Sequence, residues 1–182
     1  MRITGGSARG RKIYAPKSDK IRMTADRIRE SLFDILPSME GGLFLDIYAG
    51  TGSVGIEALS RGSAGAVFIE KEPFHAGVLE KNLGLCGFKE TCEVLITSVE
   101  TGIRLLTGRR QRFDVVFADP PYNRGLAGSF PGLPGVSDLV AEDGILVVEH
   151  SFREDVVVSD MFAPSDQRRY GDTVLSFLKS NR

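Results

Sequence analysis

The chain has 182 residues, of which 42% are hydrophobic and 26% are charged, a composition typical of a soluble globular protein of one domain. It contains no run of 18 apolar residues, its first residues lack the apolar segment of a secretory signal, and its two cysteines and two histidines cannot assemble a Cys/His metal site. These features predict no transmembrane helix and no secretory signal, and they favour a cytoplasmic, reduced protein without a metal.

The net charge of −1 hides a strong asymmetry along the chain. Residues 1–29 contain nine Lys or Arg and two acids, so this segment carries +7 and the remainder carries −8. A basic arm on an acidic body indicates a polyanionic partner, although the same charges also fit a solvated tail.

The first forty residues are predicted to form an arm and a helix. Residues 3–16 fit a short β arm with bends at its glycines. Residues 24–36 fit a helix, because apolar side chains recur there at helical spacing. Arg27 and Arg29 are predicted to face solvent on this helix, and Pro37 is predicted to end it.

From residue 42 onward, strands are predicted to alternate with helices, which is typical of a parallel, doubly wound α/β sheet. The predicted strands cover residues 42–48, 64–70, 92–97, 112–119 and 144–150. The predicted helices cover residues 53–62, 73–87 and 99–106. Residues 155–160 and 172–179 are predicted to form a closing hairpin, and the Gly/Pro-rich residues 128–138 a loop with at most a short helix near 137–140. We expect a single domain over residues 1–182, with the arm and helix in 1–40 and the catalytic core in 41–182.

A GxGxxG pattern at Gly50, Gly52 and Gly55 lies between a strand and a helix, where backbone N–H groups can approach a ligand. The pattern alone also fits NAD. Asp46 lies inside the strand, where an acid would repel a pyrophosphate but can hold the cationic end of S-adenosylmethionine. Glu70 ends the next strand, at the spacing where an acid accepts hydrogen bonds from ribose hydroxyls. Each acid also has a structural interpretation, Asp46 as a satisfied buried carboxylate and Glu70 as a surface acid.

Two further strand ends are candidate ligand positions. Ser98 and Val99 follow the third predicted strand, at the height expected for an adenine edge, although a serine there is also common as a helix cap. Asp119 ends the fourth predicted strand. Because ligands of open α/β sheets bind beyond the carboxyl ends of strands, we expect Asp119 to share a crevice with the glycine loop.

The sequence Asp119-Pro120-Pro121-Tyr122 suits methylation of an exocyclic amine. A carboxylate that accepts one N–H, and a Pro120 carbonyl fixed by proline rigidity that accepts another, would direct the nitrogen lone pair toward the methyl group. Stacking of the base on Tyr122 would contribute about 1–3 kcal/mol, and Asp119 can receive the released proton. The alternative is a turn in which these residues serve geometry alone.

These motifs resemble a known family. DPPY, with LDIYAGTGSVGIEALSRG upstream, resembles the class I S-adenosylmethionine-dependent amino-methyltransferases. The segments ITGGSARGRK and TADRIRESLFDIL narrow the resemblance to the RsmD family of bacterial 16S rRNA guanine-N2 methyltransferases. The similarity covers about residues 1–150 and is weaker in the tail.

The resemblance implies a seven-stranded Rossmann-like fold, S-adenosyl-L-methionine as cofactor, and 16S rRNA of the 30S subunit or its assembly intermediate as partner. We expect a monomer, since nothing in the sequence demands a dimer. The implied cofactor-binding residues are Asp46, Tyr48, Ala49, Gly50, Thr51, Gly52, Glu70, Lys71, Ser98, Val99 and Asp119. The implied catalytic residues are Asp119, Pro120, Pro121 and Tyr122. The implied RNA-binding residues are Arg9, Arg11, Lys12, Arg27 and Arg29. Asp26 and Arg27 are expected to line the site or, alternatively, to pair with each other on the surface.

The chain departs from the family pattern at two positions. Met23 stands where the family has a proline, and Ser98 replaces an Asp or Asn, which shifts adenine recognition toward the backbone. The alternative function is an adenine-N6 methyltransferase of DNA or RNA with the same DPPY, but the chain has no inserted domain for reading a DNA sequence. An NAD-dependent oxidoreductase would leave DPPY and Asp46 unexplained, and a non-catalytic RNA-binding module would leave the cofactor residues without a role.

Overall fold

The computed structural model describes residues 1–15, 26–121 and 125–181, and it divides into two compact units, Met1–Val99 and Glu100–Arg182. The strands are β1 (Leu43–Ile47), β2 (Gly65–Glu70), β3 (Cys92–Ile96), β4 (Phe113–Ala118), β5 (Val140–Ser151), β6 (Phe162–Tyr170) and β7 (Thr173–Ser180). The helices are α1 (Asp26–Ile35), α2 (Ser53–Ser60), α3 (Pro73–Cys86), α4 (Val99–Gly108), α5 (Leu126–Ser129) and α6 (Val136–Leu139). None of the helices in the described parts of the chain is both long and apolar enough to span a bilayer.

The strands form one sheet in the order β3-β2-β1-β4-β5-β7-β6. β1 pairs with β2, β2 with β3 and β4 with β5 in parallel, whereas β7 is antiparallel to both β5 and β6. This confirms the predicted α/β class, with a mostly parallel seven-stranded sheet and an antiparallel closing hairpin. The prediction of a single domain over residues 1–182 stays a prediction.

The first unit brings three strand ends to one edge. β1 and β2 are almost continuously buried, as expected for parallel strands that are covered on both faces. Ile47 lies opposite Ile69, and Glu70 lies opposite Ile96. The residues that follow β1, β2 and β3 therefore lie along the same edge of this part of the sheet.

The second unit has a comparable edge at the end of β4. Ala118 lies opposite Val148 of β5, so Asp119 follows β4 near the carboxyl end of its parallel neighbour. β7 returns beside β5 with Thr173 opposite Ser151, which brings the turn between β6 and β7 to the same edge of this unit.

The prediction that residues 155–160 form the first strand of the closing hairpin is wrong. Residues 155–160 contain no strand, and Val157 in this apolar run is 68% exposed. The first strand of the hairpin is β6, which ends the strand order and consists mostly of exposed polar residues. Pro164 and a register shift just after it are features of an edge strand, and no apolar alternation marks such a strand in sequence.

The Gly/Pro-rich segment contains more structure than expected. α6 confirms the short helix predicted near residues 137–140, but α5 and a 3₁₀ turn at Phe130–Gly132 precede it. Phe130, Val136 and Leu139 are fully buried. Three large apolar side chains thus anchor a segment whose glycines and prolines predicted a loop.

Candidate active site

The loop between β1 and α2 has two glycines in a backbone conformation that other residues rarely adopt. Gly50 and Gly52 have φ angles of 55° and 75°, in the left-handed region that favours glycine. A Cβ atom at Gly52 would lie 2.2 Å from Cδ1 of Leu79, whereas among described residues one at Gly50 would meet only the Tyr48 carbonyl oxygen, at 3.9 Å. The Gly52 N–H closes the turn on the Ala49 carbonyl at 2.8 Å. The loop is therefore packed tightly at Gly52 and leaves open space at Gly50.

Asp46 is the buried acid beneath this loop. It is 2% exposed, and its Oδ2 accepts the N–H of Gly55 at 2.9 Å. Burial raises the pKa of Asp46 to about 7; the Gly55 hydrogen bond lowers it and the charge of Glu70 raises it. Because a poorly solvated carboxylate gains most from an opposite charge, Asp46 suits the cationic end of a ligand.

Glu70 connects the glycine loop to the end of β2. One carboxylate oxygen accepts the Gly50 N–H at 2.7 Å, and the other accepts the Glu72 N–H at 2.8 Å. The side chain is buried, and the nearer imidazole nitrogen of His75 lies 3.7 Å away. The alternative of a surface acid is therefore wrong, and Glu70 holds the loop in place. Its contact with a ribose stays a prediction.

Asn82 is a residue of this region that the sequence did not reveal. It lies on α3 and is fully buried. Its Nδ2 donates to the carbonyls of Thr51 and Tyr14, both at 3.0 Å, and its Oδ1 accepts the Tyr14 N–H at 2.7 Å. One side chain thus fixes the glycine loop and the end of the N-terminal arm together. No local pattern could have indicated this, because Tyr14 precedes Asn82 by 68 residues.

The other predicted cofactor residues of the first unit differ in exposure. Thr51 and Val99 are buried. Lys71 is exposed and lies 3.8 Å from a carboxylate oxygen of Glu72. Ser98 is exposed and immediately precedes α4. This position fits both a helix cap and a residue beside an adenine edge, and the contact with adenine stays a prediction.

The N-terminal arm is docked on α2 near Gly6. Arg2 and Lys12 form an antiparallel bridge that closes the arm on itself. The N–H of Ser7 donates to the Ser60 carbonyl at 2.7 Å, at the end of α2. Gly6 has a φ of 72°, and a Cβ atom there would lie 1.7 Å from the same carbonyl oxygen. No side chain fits at Gly6, so this glycine of the predicted arm motif serves docking.

Glu57 is the centre of the contact between the arm and α2. Its carboxylate is fully buried and accepts hydrogen bonds from the Thr4 N–H and hydroxyl, the Gly5 N–H, and the Arg29 and Arg61 guanidiniums, at 2.7–3.1 Å. Burial alone would raise the pKa of Glu57, but the hydrogen bonds of Thr4 and Arg61 and the charge of Arg29 lower it below its ordinary value. The carboxylate therefore stays ionised and ties the arm to α1 and α2.

The predicted RNA-binding residues separate into two groups. Arg9, Arg11, Lys12 and Arg27 are exposed, and Arg11 also donates to the Leu85 carbonyl.

The prediction that Arg29 faces solvent is wrong, because its side chain is 0% exposed and bound to Glu57, Asp26 and the Arg2 carbonyl. Arg29 supports the arm and, as placed, cannot reach a phosphate. Asp26 pairs with Arg29 at 2.9 Å, which is not the predicted alternative of a pair with Arg27.

In the second unit, the residues predicted to be catalytic follow β4. Asp119 is half-buried, Pro120 is buried and Pro121 is exposed, while Tyr122 lies outside the described residues. On the neighbouring strand, His150 is buried with its Nε2 2.8 Å from the Ser176 hydroxyl, which makes it a satisfied core residue. His150 is thus occupied within the core, whereas Asp119 at the end of β4 remains partly accessible to a ligand.

Comparisons with known proteins show the family to which the chain belongs. The family described as Conserved hypothetical protein 95 matches residues 1–179, beyond the predicted limit near residue 150. Ribosomal RNA small subunit methyltransferase D of Escherichia coli is 37% identical over 150 residues, covering 82% of this chain and 74% of that protein. Putative rRNA methyltransferase YlbH of Bacillus subtilis is 32% identical over 151 residues, covering 82% of each chain.

A solved structure shows the same fold as this chain. The structure of the putative methyltransferase yhhF from Escherichia coli superimposes with a TM-score of 0.85 at 29% identity, covering 100% of this chain and 98% of that chain. The seven-stranded sheet is therefore the Rossmann-like sheet of class I methyltransferases. The chain belongs to the Conserved hypothetical protein 95 family, which is the RsmD family that its sequence resembles.

Proposed function

We propose that this protein transfers a methyl group from S-adenosyl-L-methionine to the exocyclic N2 amine of a guanine in 16S rRNA. The observation that carries the proposal is the similarity over most of the chain to a relative named ribosomal RNA small subunit methyltransferase D. The chemistry of two strand ends, one in each unit, supports it independently.

The first unit has residues that fit the cofactor. S-adenosyl-L-methionine, when bound, supplies an electrophilic methyl group on a sulfonium and also carries an amino group and a ribose. Asp46 offers a buried carboxylate for the positive charge, and Glu70 offers carboxylate oxygens at the end of the next strand. The open space at Gly50 lets a ligand approach the backbone. A pyrophosphate would meet the charge of Asp46, which disfavours NAD.

At the end of β4, Asp119 and Pro120 are proposed to orient the target amine. The N2 amine of guanine is a weak nucleophile, because its lone pair is delocalised into the base. Asp119 would accept one N–H of this amine, and the Pro120 carbonyl would accept the other, so that the lone pair turns toward the methyl group. Asp119 can then receive the proton that the nitrogen loses. The proposed role of Tyr122 is to stack on the base.

The arm is proposed to bind the RNA. Arg9, Arg11 and Lys12 are exposed on a loop that Gly6 and Glu57 hold against α2, so their charges are presented from a fixed backbone. Cations fixed in this way bind phosphates with release of counterions, which makes binding dependent on salt. We propose the 30S subunit or its assembly intermediate as the substrate and a monomer as the active form.

Mass spectrometry of nucleosides tests the reaction. Small subunits from a strain that lacks this gene are incubated with the protein and S-adenosyl-L-methionine, and the 16S rRNA is digested. We expect N2-methylguanosine at one site. N6-methyladenosine as the only product would favour the adenine alternative, and no methylated nucleoside from either subunits or free 16S rRNA would contradict the proposal.

Calorimetry tests the cofactor separately. We expect S-adenosyl-L-methionine to bind the free protein, whereas NAD should give no heat of binding. Binding of NAD alone would contradict the proposal at its first step, whatever the state of the RNA substrate.

A further inference from the structure

A cluster of one aromatic and two basic residues lies beyond the end of β5. Phe152 is 37% exposed, and the guanidinium carbon of Arg169 lies 4.2 Å from the centroid of its ring. The guanidinium carbon of Arg153 lies 5.3 Å from the same centroid. We call these three residues the Phe152 cluster. Two guanidiniums on one ring place two positive charges close together. Their mutual repulsion is unfavourable unless an anion compensates it.

The backbone holds this cluster in place. The Phe152 N–H donates to the Asp172 carbonyl at 3.0 Å, which ties the end of β5 to the turn between β6 and β7. The Arg169 Nε donates to the Gly171 carbonyl at 2.9 Å within the same turn. A guanidinium that is stacked on a ring and bonded at Nε keeps its outer N–H groups free to meet a planar anion or a phosphate.

The charges of the cluster are not neutralised by ion pairs within the described chain. Neither Arg153 nor Arg169 forms an ion pair with a carboxylate there, whereas the adjacent Arg168 binds Asp166 at 2.9 Å. Glu154, the acid nearest in sequence, accepts the N–H of Gly125. Two exposed cations that have no acid partner among the described residues indicate an anionic ligand.

The register of the second unit places the cluster relative to Asp119. Ala118 lies opposite Val148, so Asp119 is level with Glu149, and Phe152 follows three residues later, just after the end of β5 at Ser151. At about 3.3 Å per residue of strand, the cluster begins within roughly 10 Å of the row of Asp119. A nucleotide that flanks the target base can span this separation.

We infer that the Phe152 cluster binds the phosphate backbone of the RNA segment next to the target guanine. Arg153 and Arg169 contact phosphate oxygens, and Phe152 holds the guanidiniums in place. This inference rests on the proposed function. It adds a second RNA-binding surface, formed by residues of the second unit, at the same edge of that unit as Asp119.

The test compares two adjacent arginines. Arg169→Gln removes a charge of the cluster, and the matched control Arg168→Gln removes an equal charge that Asp166 already neutralises. Binding of methyl-deficient 16S rRNA is measured against salt, with thermal unfolding and cofactor calorimetry as checks. We expect Arg169→Gln to weaken RNA binding about 3- to 10-fold and to lower the salt slope by about 1, with cofactor affinity unchanged. Arg168→Gln should change binding by less than about twofold.

Two more variants make the assignment independent of Arg169. Arg153→Gln, at the end of β5, should behave like Arg169→Gln. Phe152→Leu keeps both charges, so it should weaken binding while leaving the salt slope unchanged. The inference is overturned if the wild type methylates rRNA but Arg153→Gln and Arg169→Gln bind it no more weakly than Arg168→Gln. If the wild type methylates no rRNA at all, the proposed function fails, and this inference fails with it.

Discussion

Two glycine-rich segments of the first unit look alike in sequence but differ in what their glycines accommodate. In the arm, Gly6 lets the backbone reach the Ser60 carbonyl, where a Cβ atom would lie only 1.7 Å from the oxygen. In the loop after β1, Gly50 has a similar left-handed φ but leaves open space beside it. The first glycine therefore serves packing within the protein, and the second is proposed to serve approach of a ligand. The comparison shows that the role of a glycine in a motif depends on which atoms lie next to it in the folded protein.

The largest expected effect is that of Gly6→Ala. The new methyl group would overlap a backbone oxygen that cannot move, so the arm must leave α2 and lose its hydrogen bonds to Ser60. We expect the free energy of unfolding to fall by about 3–5 kcal/mol in urea denaturation. Gly10→Ala is the matched control, since Gly10 also has a positive φ but no described atom within 4 Å, and it should cost about 1–2 kcal/mol. Equal losses would contradict the role of Gly6 in docking.

The second effect concerns the acid beneath the loop. The pKa of Asp46 is about 7 in the folded protein against 3.8 ordinarily, so between these values the folded state holds a proton that the unfolded state has lost. Stability should therefore fall as the pH rises from about 4 to 7. Asp46→Asn removes this penalty, and we expect it to raise the free energy of unfolding at pH 8 by about 2–4 kcal/mol while weakening cofactor binding. A destabilised variant that still binds the cofactor normally would show that Asp46 has only a structural role.

The third prediction is the pH dependence of cofactor binding. A cationic ligand binds the ionised form of Asp46, so below a pKa of about 7 the group must lose a proton first. The affinity should fall about tenfold for each pH unit below this value, over a range in which the amino group of the ligand stays charged. Calorimetry at several pH values measures this slope, with Asp46→Asn as the control that should show none. A flat profile for the wild type would remove Asp46 from the charge recognition.

The smallest expected change in stability is that of Gly50→Ala. Its φ of 55° makes an alanine cost about 1–2 kcal/mol, because no described side chain would be displaced. The added methyl group would occupy the space open to the ligand, so we expect cofactor affinity to fall about tenfold. Unfolding curves and calorimetry on the same sample check both numbers. If Gly50→Ala unfolds the protein as readily as Gly6→Ala, the contrast between the two glycines does not hold.

Much of the fold and one part of the candidate site could be predicted from the sequence, because the signals are local. Apolar runs mark β1 to β4, and the strand-turn-helix context of Gly50 and Gly52 predicts a ligand loop. The positions of Asp46 and Glu70 followed from the same context. In the structure, Glu70 accepts the Gly50 N–H of the loop, and Asp46 accepts the Gly55 N–H in the first turn of α2.

The remaining features depend on contacts between distant residues. Glu57 receives the arm from 52 and 53 residues away, and no helical pattern on α2 reveals that a carboxylate there is buried. Arg29 looked like a solvent-facing residue of an amphipathic helix, but the arm and Glu57 cover it. β6 was missed because an exposed edge strand needs no apolar alternation.

The most direct test of the proposed reaction is Asp119→Ala on methyl-deficient small subunits. Methyl transfer and cofactor affinity are measured in parallel, and Asp114→Ala, an exposed acid on the same strand, is the control. We predict that Asp119→Ala loses transfer by about 10²- to 10⁴-fold while its cofactor affinity stays within about twofold, and that Asp114→Ala keeps both. Normal methyl transfer by Asp119→Ala would contradict the assignment of the end of β4 as the catalytic centre.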